Sequence, residues 1–407
     1  MPHDTPLIAT ISIGLGLAFL FGLIAQRLRL PPIVGYLAAG ICVGPFTPGF
    51  VADAGLATEL AEIGVILLMF GVGLHFSLRD LLSVRAIAIP GAIGQIAAAT
   101  VMGMGLAWAL GWSPGAGLVF GLSLSVASTV VLLRALQERR EVATEKGRIA
   151  VGWLIVEDLA MVLTLVLLPP MAGLLGGQVE GQAGGLVAAL GVQPLWLTLG
   201  LTAVKVGVFV AVMLVLGRRV IPMVLHYTAH TGSRELFRLG VLAIALGVAY
   251  GSAKLFGVSF ALGAFFAGMV LAESKLATQA AKDTLPLRDA FAVLFFVSVG
   301  MLFDPAILWE QPLTLLATVL IIILGKSAVA YAIVRAFGHD RGVALTISAS
   351  LAQIGEFSFI LIVLGVNLAL VPPEAVALVV AGSILSILVN PLAFRLIDRL
   401  APPPTAP

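Results

Sequence analysis

The sequence predicts an all-α polytopic membrane protein. We expect about thirteen transmembrane helices, built as inverted repeats with two discontinuous, crossing helices. Three observations predict it. The first is composition. Of 407 residues, 60% are hydrophobic and 11% charged, against about 25% charged in a soluble domain, and mean hydropathy is +1.11. That balance excludes a soluble enzyme and offers no surface for nucleic acid; the expected surroundings are a lipid bilayer. The second is the placement of lysine and arginine. The third is a repeat at one sequence offset.

Apolar runs separated by charged or Gly/Pro loops place spans near 6–26, 31–45, 57–77, 86–111, 115–136, 147–170, 195–222, 234–255, 258–273, 286–303, 312–335, 342–366 and 374–397. The first follows a segment without the basic region of a cleaved signal, so it is read as retained. The second and ninth fall short of the roughly 20 residues of a straight span. They are expected to sit embedded in the bundle. The single cysteine, Cys42, excludes an intrachain disulfide.

Of the 23 Lys and Arg residues, all but Lys205, Lys254 and Lys326 fall beside the loops after odd-numbered spans or at the C-terminal end. The basic side is cytoplasmic by the positive-inside rule. The N-terminus is then expected outside, the C-terminus inside, and the odd count of spans is supported.

The stretch Gly35-Tyr-Leu-Ala-Ala-Gly40-Ile-Cys-Val-Gly44 resembles Gly263-Ala-Phe-Phe-Ala-Gly268-Met-Val-Leu-Ala272. Val65–Leu74 resembles Ala292–Met301. Gly35 is thus carried onto Gly263 and Val65 onto Ala292, by offsets that agree to within a single position. They relate span 2 to 9 and span 3 to 10, seven spans apart. An odd separation inverts the related helices, and inverted repeats are a secondary-transporter architecture with the site at the midplane. The same offset pairs span 5 with span 12. Both are polar at mid-depth, with Ser123, Ser125, Ser128 and Thr129 in one and Ser348, Ser350, Gln353, Gly355 and Glu356 in the other. Such segments are where helices break beside a polar cavity. The bland alternative is that these hydroxyls bond their own helix carbonyls.

Span 6 holds adjacent acids, Glu157 and Asp158, within Ile149–Leu168. Each costs roughly 2.5–3.5 kcal/mol in hydrocarbon on insertion scales, and intramembrane acids mark ion or proton pathways. About 100° apart on a helix, they face different neighbours. Lys326, mid-membrane in span 11, is the expected partner of one, since a cation lowers the desolvation cost of all three. The other is then free to bind a cation or a proton, and competition for one carboxylate is the simplest antiport mechanism. Glu356 either bonds within the break of span 12 or joins the cavity. Lys205 reads as snorkelling to the interface. Glu62 reads as interfacial. His226 and His230 sit in a basic loop with no third ligand, which disfavours a metal site.

Four stretches carry a family resemblance: Val156-Glu-Asp-Leu159, Val258–Met269, Leu285–Met301 and Gln353-Ile-Gly-Glu-Phe357. They resemble the monovalent cation:proton antiporter-2 family, especially its Kef-type and YbaL-like members, over nearly the whole chain. The resemblance implies the sodium/proton-antiporter fold in a homodimer. It implies a mobile core domain, taken as 86–170 and 286–366, against a dimerisation scaffold, taken as 6–77, 195–273 and 374–397. It also implies that Asp158 binds the monovalent cation and carries the proton, and that Lys326 pairs with the preceding acid, here Glu157. Family members commonly continue into a cytoplasmic nucleotide-binding regulatory domain; this chain ends in the tail 401–407 without a glycine-rich nucleotide motif, so that domain is expected either to be absent or to belong to a longer protein of which this chain is a part.

The expected function is secondary exchange of a monovalent cation for H+ in a bacterial inner membrane. K+ is favoured over Na+ by the resemblance, no cofactor is expected, and Ser125, Ser128, Thr129, Ser350, Gln353 and Glu356 support the cavity. A cation channel lacks its filter signature, and an intramembrane enzyme lacks a nucleophile–base or His-Glu-x-x-His pattern.

Overall fold

The computed structural model describes residues 6–28, 30–48, 50–75, 78–142, 144–177, 195–274 and 276–400. The expected tail, 401–407, lies outside these residues. Described residues form helices and connections, with no strand.

In chain order the helices are α1 (Pro6–Arg27), α2 (Pro32–Val43), α3 (Ala54–His75), α4 (Leu78–Ala109), α5 (Pro114–Ser125), α6 (Thr129–Glu138), α7 (Glu145–Met171), α8 (Leu195–Val212) and α9 (Arg218–His230). They continue as α10 (Arg234–Gly251), α11 (Phe260–Ala272), α12 (Ala277–Met301), α13 (Ile307–Glu310), α14 (Pro312–Leu320), α15 (Lys326–Ala336), α16 (Arg341–Ser350), α17 (Glu356–Asn367) and α18 (Glu374–Leu400). Among the described residues, nine helical stretches are long and apolar enough to cross a membrane. The short apolar helices α2, α5, α11 and α17 fill the remaining positions of the thirteen-span pattern.

Three spans contain a π turn: Met213–Gly217 joins α8 to α9, Ser252–Phe256 extends α10, and Ile321–Gly325 joins α14 to α15. The first carries span 7 on to His230, so His226 and His230 lie on a helix and not in a loop. Their exposed rings stack edge-to-face at 4.2 Å.

Side-chain capping sets the starts of the short helices. Ser113 accepts from Ala116 N at 3.1 Å, with Pro114 at the first position of α5. Ser259 and Asp340 do the same for α11 and α16. Each cap satisfies one of the amides that a helix start leaves without an intrahelical partner.

Helices α1, α2, α3, α10, α11 and α12 pack on one another. A second group joins α4, α5 and α7 with α14 to α18. These packing groups differ from the expected partition at two places. Of 286–303, all but the last two residues lie on α12, which packs on α2 and α3 in the first group; 374–397 lie on α18, which packs on α14, α16 and α17 in the second. The reason is the glycine spacing that also carries the repeat. A Cβ on Gly40 would lie 2.7 Å from Gly300 Cα, and one on Gly300 2.9 Å from Gly40 Cα. A Cβ on Gly73 would lie 3.1 Å from Gly268 Cα. Real Cβ atoms do not reach such distances comfortably, so these helices touch backbone to backbone, as small-residue interfaces allow. Gly40 maps to Gly268 and Gly73 to Gly300 at the repeat offset. The α2–α12 contact and the α11–α3 contact are therefore images of each other.

Candidate ion site at the helix crossing

Both polar spans are broken. Span 5 is α5, an extended link at Val126 and Ser128, then α6. Span 12 is α16, the segment 351–355, then α17, with Gly355 extended. Neither break contains proline. What permits them is that other side chains satisfy the backbone groups they free, as burial demands.

Gln353 bridges the two breaks. Its Oε1 accepts from Ser128 N at 2.8 Å, while its Nε2 donates to Ser128 O at 3.1 Å and Ser350 O at 3.2 Å. Ser128 Oγ donates to Glu356 Oε2 at 3.3 Å and caps α6 by accepting from Val131 N. A Cβ on Gly355 would lie 2.5 Å from Ser128 Cβ, so only glycine lets the two segments cross this closely. The offset that carries Val65 onto Ala292 also carries Ser128 onto Gly355. Equivalent positions of the two repeats thus touch each other, which happens only where the pseudo-two-fold axis passes.

The acids of α7 attach to the first break. Glu157 Oε2 accepts from Ala127 N at 2.9 Å. Asp158 Oδ2 accepts from Thr129 Oγ1 at 3.1 Å. Thr129 opens α6 and Glu356 opens α17. The positive N-terminal ends of two half-helices therefore converge on this cluster of carboxylates. Glu157 is fully buried and Asp158 half-buried. Each keeps one buried oxygen, Glu157 Oε1 and Asp158 Oδ1, without a well-formed hydrogen bond among the described residues. The buried Trp153 indole N–H lies near Glu157 but likewise closes no well-formed bond.

Lys326 is fully buried and directly follows the π turn Ile321–Gly325. Its Nζ donates to Gln353 O at 3.0 Å. The expected Glu157–Lys326 pair is not a direct contact. Each is held by the backbone of a different break, Ala127 for the acid and Gln353 for the base. Their charges still act on each other across the crossing.

The other expected residues divide. Ser128, Thr129, Gln353 and Glu356 lie in the crossing. Ser125 Oγ donates to Leu122 O and Ser350 Oγ to Thr346 O, so both hydroxyl protons return to their own helices. Lys205 is exposed on α8. Among the described residues, no cluster of His, Cys, Asp and Glu has a metal-holding arrangement.

Three side chains that the sequence reading passed over complete the breaks. Gln95 Nε2 donates to Ser125 O at 3.0 Å. Ser383 Oγ and Asn390 Nδ2, both on α18, donate to Ile354 O and Ala349 O at 3.2 and 2.8 Å. Their signal was a lone amide or hydroxyl in an apolar span, which by itself is common.

The family model for the transmembrane sodium/hydrogen exchanger matches residues 15–397. The chain belongs to the sodium/hydrogen exchanger family. Within this exchanger family it is 62% identical over 399 residues to the Escherichia coli (strain K12) protein named "Putative cation/proton antiporter YbaL", covering 98% of this chain and 70% of that one. It is 35% identical to K(+) efflux antiporter 4 of Arabidopsis thaliana, covering 91% of this chain and 60% of that one. The structure of the sodium proton antiporter MjNhaP1 from Methanocaldococcus jannaschii superposes with a TM-score of 0.68 at 17% identity, covering 97% of this chain and 98% of that one. This exchanger therefore shares that fold, and it is a transporter and not an enzyme.

Proposed function

We propose that the chain exchanges a monovalent cation, K+ in preference to Na+, for H+ by alternating access, with Asp158 as carrier. One observation carries this. The crossing gathers three acids, Glu157, Asp158 and Glu356, and one base, Lys326. Fully ionised, it has a formal charge of −2 in a bilayer interior, where unbalanced charge is costly. It is stable only with positive charge added, either a cation or protons. Asp158 is the most exposed of the three acids, and its buried Oδ1 has no well-formed hydrogen bond among the described residues, so it is the group at which cation and proton compete. A hard monovalent cation takes oxygen ligands, and the carboxylate and neighbouring hydroxyls supply them.

The similarity to the protein named "Putative cation/proton antiporter YbaL" and to K(+) efflux antiporter 4 of Arabidopsis thaliana supports cation/proton exchange and favours potassium. The group α4, α5, α7 and α14 to α18 would be the moving core. The group α1 to α3 and α10 to α12 would be the scaffold and the homodimer contact. The positive-inside pattern favours an inner-membrane protein with N-terminus out and C-terminus in.

The test is cation-jump exchange in proteoliposomes containing a pH dye. If one carboxylate serves both ions, the apparent KM for K+ rises about tenfold per pH unit on the acid side, where a proton occupies the site. Maximal rate changes little over that range. A KM independent of pH would reject competition, and a KM lower for Na+ or Li+ would reject the potassium preference.

A further inference from the structure

Gln95 is fully buried on α4 and bonds Ser125 O through Nε2. Lys326, at the start of α15, which packs on α4, bonds Gln353 O in the same way. The offset that carries Gly35 of α2 onto Gly263 of α11 also carries Ser125 onto Gln353. The offset that relates Ser128 to Gly355 carries Ser125 one residue earlier, onto Ala352, so the two carbonyls match to within one position of the two repeats, each freed by a helix break. Each is caught by a side chain from the span preceding that break. Lys326 itself projects back onto Ala98 at the offset that carries Gly35 onto Gly263. Gln95 lies one short helical step before Ala98, and residues at i and i+3 share a helix face.

We propose that Gln95 is the first repeat's counterpart of Lys326. It is a positioning residue that fixes the break at 126–128 without adding charge. Through that break it fixes Ala127 N, which holds Glu157 at 2.9 Å. One repeat thus closes its break with an ammonium and the other with a neutral amide. This difference leaves the crossing with one buried base for three acids, the imbalance on which exchange depends. The inference rests on the antiport reading for its role in transport, but not for the hydrogen bond itself.

The substitution Gln95→Glu separates this role from packing. A protonated carboxyl donates O–H to Ser125 O much as the amide does. An ionised one has no proton to donate and repels that carbonyl. Of the elements packed against α4, α5, α14 and the π turn 321–325 carry no ionisable side chain. Helix α7 brings Glu157 and Asp158 to the crossing, and α15 brings Lys326. Gln95→Met keeps length and loses the donor at every pH.

The experiment is hydrogen exchange, read by mass spectrometry, on peptides spanning 122–130 of the protein in nanodiscs at pH 5.5 and 8.5, with rates corrected for intrinsic exchange. Wild type is expected to be protected at both. Gln95→Met is expected to exchange about tenfold faster at both, the loss that one buried hydrogen bond implies. Gln95→Glu is expected to match wild type at pH 5.5, where its carboxyl is protonated and can donate to Ser125 O. Wild-type protection in Gln95→Met would overturn the proposal, as would Gln95→Glu exchanging as fast as Gln95→Met at pH 5.5, where its carboxyl carries the proton it donates. Cation/proton exchange by the same proteins is measured alongside. Failure of wild type to exchange would strike the antiport reading, while the protection pattern still decides the role of Gln95.

Discussion

At the scale of single residues, the site is governed by which backbone group each buried side chain serves. Lys326 is the clearest case. Taken from sequence, it is a counter-ion for an acid; in the structure its ammonium holds a freed carbonyl, Gln353 O, and acts on Glu157 only at a distance. This predicts that Lys326→Gln, which keeps a donor, folds with a modest loss, while Lys326→Ala loses both donor and volume. An unsatisfied buried carbonyl costs about 1–3 kcal/mol. In detergent, Lys326→Ala is expected to melt several degrees below Lys326→Gln. Equal melting temperatures would show that the carbonyl bond is not what the lysine contributes to stability. The acids were legible in sequence because charge in a long apolar run has no bland explanation. The identity of their partners was not, because backbone amides such as Ala127 N carry no signature in a sequence.

At the scale of elements, the broken helices were legible only through the repeat. Serines in an apolar span are ambiguous, and the structure bears out both readings at once: Ser125 and Ser350 bond their own helices, and the breaks occur beside them. The offset resolved the ambiguity by predicting two polar segments at matched positions, and Ser128 indeed meets Gly355. Gly355→Ala places a methyl carbon 2.5 Å from Ser128 Cβ, and no flexible side-chain end is there to yield. The crossing must open, so exchange is expected to fall at least about a hundredfold, as a misplacement of about 1 Å at a reacting centre does. The comparison Gly247→Ala, whose added carbon meets nothing within 4 Å, is expected to leave exchange unchanged. Equal activities in the two variants would remove the crossing from the mechanism. The three π turns were not legible at all; each is one extra residue per turn inside an apolar run, and hydropathy is blind to it.

At the scale of the whole molecule, the span count and order followed from hydropathy and basic-residue placement, because both reflect the bilayer and not the fold. The partition into two groups of helices did not follow as cleanly. The partition expected from the resemblance set 286–303 with the core. Glycine-to-glycine contact instead binds α12 to α2, and the final helix α18 returns to cover the second break. If α4, α5, α7 and α14 to α18 move as one body against the rest, locking the two groups together stops transport without disturbing the site. The boundary between α7 and α11 offers such a lock, since these helices touch across it. A cysteine pair placed there on a Cys42→Ser background is expected to lose exchange on oxidation and regain it on reduction. Full activity of the oxidised, cross-linked protein would rule out relative motion of the two groups.

These scales meet at Asp158, half-buried, with one oxygen accepting from Thr129 and the other buried without a well-formed hydrogen bond among the described residues. The most direct measurement is K+-driven proton movement in proteoliposomes for wild type, Asp158→Asn and Asp158→Glu. Wild type is expected to exchange, and Asp158→Glu to retain part of that rate with altered KM. Asp158→Asn, which can neither hold a proton in trade nor neutralise a cation, is expected to fall to the level of empty vesicles. Sustained K+-driven proton flux through Asp158→Asn would contradict the assignment of the carrier and with it the account of the site.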